Sequence, residues 1–493
     1  MGVETDRTEL STSSRPPSTP VVVREIARMT WRLFFNDLAR SLGSRAGAGA
    51  LLGGMVVTAV AFAGWSTAQS AAQLGVASLA GVETTYGALF FTIPALVTIL
   101  IALYTPDATL LGQMLTTLPV KWLGIVLAQR VLTVSVGLPL GLFVLVPLLS
   151  MTFSTSSVAP LAASLLLGVG GSVVAAALHS CFTWLVRRIW PGSGAMGSGL
   201  AALATTTILL WPFVDALPMN YHEPGGSHSW LTGGLIRAMN GGALAAALPF
   251  GLLVLAALVL AGLVPQPARQ AQIWARSPAR SAPGVLGRSL VGLELVQILR
   301  FAPNAVSLFF LNGVALAALV HVLNSDGEDL GLAALLLMAL SAWGVGAYGP
   351  TRSQLWQYEL TGRPHAWIPA KVMAVAMVWA VMMLVHGTWI VLLTGWWWQD
   401  VVFLLPVLAV EMVLACTVGI VVPVSAGTSI SAAVSEVIAI LVLLMTATGT
   451  QTALAGLTDP WLLIVVHLTM LVAALALYVL TARFQGRPKT VRA

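Results

Sequence analysis

Two carboxylates sit where carboxylates are costly. Glu411 lies in the middle of FLLPVLAVEMVLACTV, and Glu436 lies in a second apolar run, SAAVSEVIAILVLLM. A charge at the centre of a membrane helix costs roughly 2.5–3.5 kcal/mol on insertion scales, so partners or water are expected beside it. Both are candidates for a translocation path, as a substrate contact or a proton site. The alternative for each is a structural residue, protonated or hydrogen-bonded, and Glu436, nearer a membrane surface, leans that way. Other groups carry less. His222, Glu223 and His228 share one long loop but lack HExxH spacing. Gly192, Gly194 and Gly197 fit GxGxxG, yet they follow Arg187, Arg188, Trp190 and Pro191 between two apolar runs rather than a strand. A loop and small-residue helix packing account for them. Gly49/Gly53 and Gly137/Gly141 are packing candidates of the same kind. Cys181 and Cys416 fall inside apolar runs as small hydrophobes. No GxxxxGK[ST] occurs, so the chain has no phosphate loop of its own.

The elements that must position these residues are membrane helices. Of the 493 residues, 58% are hydrophobic and 9% charged, against roughly 25% charged in a soluble domain. Lipid must be the solvent for much of such a chain. Segments of about 20 apolar residues are expected to span at 47–68, 85–104, 121–150, 158–184, 196–214 and 243–264. A second set follows at 303–323, 330–349, 367–394, 401–424, 431–448 and 460–482. The expected fold is an all-α integral membrane protein of about twelve spans. The polar stretch Met1–Pro20 has no apolar core of a signal peptide, and 1–23 reads as a disordered tail.

Charge placement orients the spans. With both ends in the cytoplasm, only Arg237 of the 24 Lys and Arg residues falls outside. Glu83, Asp215, Glu223, Asp326, Glu328, Asp329, Asp400 and Asp459 cluster on the external side. This is the positive-inside bias. It also explains the net charge of +6 without a nucleic-acid partner, since the basic residues flank apolar runs and form no patch. All but Lys121, Lys371 and Lys489 are Arg, a usage that points to a GC-rich bacterial genome.

The chain divides at 265–288, a Pro- and Arg-rich cytoplasmic linker between halves 24–264 and 289–483, with a tail at 484–493. Six spans on each side make parallel repeats. A local echo supports duplication. YTPDATLLGQMLTTLPVKW in the first half answers YGPTRSQLWQYELTGRPHAW in the second. Tyr104 and Pro106 match Tyr348 and Pro350, and Pro119 and Trp122 match Pro364 and Trp367. Leu110, Leu111, Met114, Leu115 and Leu118 share one helical face, with Asp107, Gln113 and Thr117 elsewhere. In the second loop Arg352, Trp356, Glu359 and Arg363 recur at helical spacing. A helix parallel to the membrane is expected in each; a helical extension of the adjoining span is the alternative. Each half also opens on an amphipathic stretch suited to the inner interface. In the first, Ala27, Trp31, Phe34, Phe35, Leu38 and Leu42 lie beside Arg28, Arg32, Asn36 and Arg40. In the second, Val291, Leu295, Ile298 and Leu299 oppose Glu294, Gln297 and Arg300.

That order of interfacial elbow helix, two spans, cytoplasmic helix and four more spans resembles the type-2 permease superfamily of ABC exporters. Leu118, Pro119, Val120 and Lys121 match the Leu-Pro-Val-basic signature that commonly ends that family's coupling helix; Gly362, Arg363, Pro364 and His365 depart from it. The resemblance implies a permease whose two coupling helices dock on separate cytoplasmic ATP-binding subunits, either two copies or a heterodimer. ATP and Mg would then be held by those partners, with no cofactor on this chain. It also implies short re-entrant helices in the external loops, where 230–236 is apolar enough to enter the outer leaflet. The chain looks like two six-span subunits fused, exporting a hydrophobic or amphipathic substrate across the cell membrane, as in drug and antibiotic efflux. The coupling residues would be Asp107, Gln113, Thr117, Pro119 and Lys121, with Arg352, Trp356, Glu359, Arg363 and Pro364. An ion-driven twelve-span transporter of the major facilitator type is the alternative, though the loop after the second span lacks that family's Gly- and Arg-rich motif. No constellation of His, Asp and Arg at the span ends supports a lipid-processing enzyme. Cysteine labelling checks the topology: a membrane-impermeant maleimide should reach Ser227→Cys from outside and miss Ser277→Cys, and the reverse pattern would invert the orientation.

Overall fold

The computed structural model describes residues 19–61 with small gaps, 79–104, 133–145, 158–214, 232–264, 289–324, most of 337–423, parts of 435–446, and 460–485. Among these residues the chain is helical throughout, without a strand. Five of its helices are long and apolar enough to cross a membrane: Leu161–Ile189, Leu244–Leu263, Trp367–Leu392, Leu404–Val421 and Trp461–Phe484. Shorter apolar helices occupy Leu89–Leu103, Thr133–Phe143, Met196–Leu209 and Asn304–Leu316. This is the composition of a multi-pass membrane protein, whose backbone polar groups must bond within each helix because lipid offers them no partner.

In chain order the helices are α1 (Thr19–Leu42), α2 (Leu79–Tyr104), α3 (Val158–Ile189), α4 (Gly194–Val214), the short α5 (Thr232–Met239) and α6 (Leu248–Leu263). Then come α7 (Leu290–Arg300), α8 (Ala302–Asn324), the one-turn α9 (Trp356–Leu360), α10 (Trp367–Thr394), α11 (Trp398–Val421) and α12 (Pro460–Gln485). Helix α1 begins inside the segment expected to be a tail. Its amphipathic pattern holds only in part where side chains are described: Leu38 is buried, Ala27 and Phe35 are half-buried, and Arg28, Arg32 and Asn36 are exposed, but Trp31 of the expected apolar arc is exposed as well. Between α8 and α9 the chain is wound as two 3-10 segments, Ala342–Ala347 and Gly349–Gln354. The first falls at the end of the expected span 330–349, which therefore does not finish as an α-helix.

Glycine explains that tighter winding. A Cβ at Gly344 would sit 2.9 Å from Cys416 Sγ, and one at Gly419 would press on the Val345 carbonyl. Small residues let the segment lie against α11, and its tighter pitch stacks residues three apart. Trp343 and Gly346 thereby both reach Asn304: the Trp343 indole donates to the Asn304 carbonyl at 3.1 Å, and Asn304 Nδ2 donates to the Gly346 carbonyl at 2.8 Å. The same device packs α2. A Cβ at Gly141 would lie 2.5 Å from the Pro94 Cα, and one at Gly137 2.5 Å from Thr98 Oγ1. Gly171 of α3 meets the Phe91 carbonyl. The expected pair Gly137/Gly141 is thus at an interface. Among the described residues nothing lies within 4 Å of a Cβ at Gly49 or Gly53. The apolar segment 230–236 overlaps α5, whose Leu235 and Ile236 are buried, with Ile236 over Gly87 of α2.

Lipid-facing and protein-facing helices separate clearly. The apolar windows of α3 and α11 are 61% buried inside the protein, whereas those of α6 with its leading turn and of α12 are 17% buried. Helices α3 and α11 are the centres of two apolar clusters. One gathers Phe90, Phe91, Leu167 and Phe250; the other gathers Ile298, Trp343, Trp367, Val413 and Tyr478.

The glycine contacts yield a paired expectation. Gly171→Ala should lower the Tm of the purified protein in detergent, since overpacking costs about 1–3 kcal/mol. Gly53→Ala should leave it unchanged or raise it, because Ala is the better helix former.

Candidate functional site

The least expected group of side chains lies where α7, α9, α10 and the second 3-10 segment meet. Helix α7 starts on Ser289, whose hydroxyl accepts from the Gly292 N–H at 3.0 Å, an N-cap. The sequence pattern set Glu294 on the polar face of this helix, away from its apolar stripe. The structure instead buries Glu294 completely. Its Oε1 accepts from the Tyr358 hydroxyl at 2.6 Å, and its Oε2 accepts from Lys371 Nζ at 2.6 Å. Lys371 Nζ also donates to Thr351 Oγ1, and it lies 5.9 Å from the centre of the Trp367 ring. Trp367 packs on Tyr348 at 5.4 Å between centres, and the Tyr478 hydroxyl from α12 donates to the Ile368 carbonyl at 3.1 Å. Burial explains why Glu294 turns inward. An uncompensated charge there would cost several kcal/mol, and a partner for each carboxylate oxygen offsets it. Burial first, then the hydrogen bond to Glu294 and its charge, push the Tyr358 phenol well above its ordinary range, so it remains a donor.

Helix α9 carries this network on one face and an exposed tip on the other. Tyr358 is buried, while Trp356 is 55% and Leu360 77% exposed. Glu359, Gly362, Arg363, Pro364 and His365 continue the exposed surface. The continuous helix expected from Arg352 to Arg363 is not formed. Arg352 lies half-buried in the 3-10 segment, Trp356 and Glu359 lie on α9, and Arg363 and Pro364 lie in the turn that follows. Gly362 ends the helix at φ +69°, with its N–H donating to Glu359 O and the Arg363 N–H to Tyr358 O. That left-handed closure suits glycine, and proline two residues on cannot resume the helix. The chain then turns directly into α10. Of the other expected site residues, Asp107, Gln113, Thr117, Pro119, Lys121 and Glu436 lie outside the described residues.

A polar seam climbs α10 from this network. Lys371, Trp379, Met382 and His386 recur at spacings that keep them on one face. The Trp379 indole donates to Ser341 Oγ at 3.1 Å, and Ser341 Oγ lies 3.3 Å from the Leu408 carbonyl of α11. Asn312 of α8 uses its amide N–H groups on Leu308 O and Met382 Sδ. Its Oδ1 is then the acceptor for His386 Nε2 at 2.7 Å, which assigns the proton to Nε2. Earlier in the chain, His179 of α3 and Ser198 of α4 approach to 3.4 Å.

Glu411 is fully buried in α11, and neither of its oxygens has a hydrogen-bond partner. The sequence singled it out by its place in an apolar run. It missed Glu294, Thr351, Tyr358 and Lys371, because nothing local shows that four residues spread over 77 positions share one pocket of protein. The available signal was an acidic residue on a short amphipathic helix and a lysine inside an apolar span.

No protein-family model, curated protein or solved structure matches this chain.

Removing one partner of the pair should be costly and removing both much less so. Lys371→Met is expected to lose about 3–5 kcal/mol by stranding Glu294, and Tyr358→Phe about 1–3 kcal/mol. Glu294→Leu combined with Lys371→Met should recover most of the loss. Thermal unfolding of the purified variants in detergent gives the ranking.

Proposed function

We propose that this chain is the fused transmembrane permease of an ABC exporter. In this reading it carries about twelve spans in two parallel six-span halves, with both termini cytoplasmic in a bacterial cell membrane. It moves a hydrophobic or amphipathic substrate outward, driven by ATP that separate cytoplasmic subunits hydrolyse with their own Mg. The observation that supports the reading best is the two-faced build of α9. Trp356, Leu360 and Arg363 face outward, and Trp and Arg are the residue types that most often anchor interfaces. The opposite face is tied through Tyr358 and Glu294 to Lys371 of α10 and to the elbow helix α7. A push on the tip is thereby delivered to a membrane helix through short, charge-assisted hydrogen bonds rather than through a loose loop. Because the tip is one helical turn closed by a left-handed glycine, it acts as a rigid knob instead of a long lever.

The proposal requires a motor made of another polypeptide. Purification of the chain from its native membranes should bring an ATP-binding subunit with it. Trp356→Ala and Arg363→Glu should each weaken that association about tenfold or more and lower substrate-stimulated ATP hydrolysis, with the permease still present in the membrane. If both variants remain fully coupled, the knob is not the docking surface. If the purified chain alone transports on a proton gradient, the ion-driven reading replaces this one.

A further inference from the structure

The chain holds two described carboxylates at 0% exposure, and it treats them oppositely. Glu294 has a donor on each oxygen, and Glu411 has none on either. A structural acid in a membrane helix is expected to be bonded like Glu294, because an unpaired polar group in an apolar site is expensive. The face on which Glu411 stands adds a second observation. Glu411, Ala415 and Val418 follow one another at helical spacing along α11, and Val422 continues the row just past its end. Ala415, Val418 and Val422 belong to the cluster that joins Phe90 and Leu167 of the N-terminal helices to Val306 and Phe310 of α8. Glu411 therefore stands one turn along the stripe at which the earlier and later parts of the chain meet.

We propose that Glu411 is the counter-charge for a cationic, apolar-bodied cargo, which it binds in exchange for a proton. The inference rests on the exporter reading and names the substrate class. In the closed arrangement the carboxyl has neither a cation nor a hydrogen-bond donor, so it is kept as the neutral acid. When the stripe parts to admit a cargo, the acid releases its proton to water. The carboxylate left behind pairs with the positive charge of the cargo. The site is electrically neutral before and after, which is what an apolar surrounding demands. An anionic cargo would meet an uncompensated carboxylate and is disfavoured. A bare metal ion is disfavoured as well, because hard cations take six or more oxygen ligands. Among the described residues no group of three or more His, Cys, Asp or Glu is gathered to hold one. The apolar row that continues from Glu411 through Ala415 and Val418 suits a lipophilic body such as an alkylated amine or a phosphonium.

Dicyclohexylcarbodiimide tests this directly, since it adds to a protonated carboxyl in an apolar setting and leaves an N-acylurea that mass spectrometry locates. In native membranes at neutral pH, Glu411 should be labelled and Glu294, both of whose oxygens are held by Tyr358 and Lys371, should not. Saturating tetraphenylphosphonium should suppress the Glu411 label about tenfold, as cation and proton compete for one carboxylate. Glu411→Gln, an isosteric change, should lose the label and weaken tetraphenylphosphonium binding by a similar factor. Absence of label at Glu411, a label indifferent to the cation, or unchanged binding in the Gln variant would each overturn the proposal. None of these readouts involves an ATPase, so their outcome is separate from the co-purification that tests the exporter reading.

Discussion

The ion pair between Glu294 and Lys371 organises one end of the bundle, because a buried charge constrains everything around it. Neither residue is stable where it lies without the other, and neither is satisfied by the other alone. Tyr358 takes the second carboxylate oxygen, Thr351 takes a second ammonium proton, and the Trp367 ring lies nearby. Each of these partners belongs to a different stretch of chain. The 3-10 winding of Gly349–Gln354, the single turn of α9 and the entry angle into α10 must all deliver one side chain to the same place. Apolar packing tolerates sliding, whereas charge-assisted hydrogen bonds at 2.6 Å do not. The pair therefore fixes register where lipid-solvated helices, which gain little from apolar contact with one another, would otherwise set it poorly.

Two other constraints complete the packing. Glycines at 137, 141, 171, 344 and 419 bring backbones together where any side chain would hold them apart. Their partners are backbone atoms or short side chains, so these contacts are steric and specific. The hydrogen bonds of Ser341, Asn304, Asn312, Trp343 and His386 then tie α8, α10 and α11 at several depths. The result is a gradient from centre to edge: α3 and α11 are mostly enclosed by protein, and α6 and α12 are mostly exposed. Glu411 occupies the enclosed helix, which is why its lack of partners is informative; on α12 the same residue would face the lipid rather than a protein interface.

The single turn of α9 illustrates how a small element is held in place by its neighbours. Five residues have almost no helical stability of their own. Here α9 is held from behind by Tyr358, closed by Gly362 and followed at once by α10. Its exposed Trp356 and Leu360 are large apolar groups on the surface of an element fixed by polar ones behind it.

The sequence by itself determined the membrane class and the positions of the five long apolar helices found among the described residues. Both follow from local composition and spacing, because a helix in lipid must satisfy its backbone internally and face apolar groups outward. Glu411 was legible for the same reason, as a charge inside a local apolar window. Tertiary structure alone decided the inward turn of Glu294, the division of the helix expected over 352–363 into a 3-10 segment and the single turn of α9, and the joining of Glu294, Thr351, Tyr358 and Lys371. Helical periodicity assigns a residue to a face, and it cannot say what that face meets. Glu294 is on the face the pattern calls polar, and what makes that face interior is a lysine 77 positions away. The separation between those two residues is bridged only by folding, and electrostatics then makes the encounter binding on every element between them.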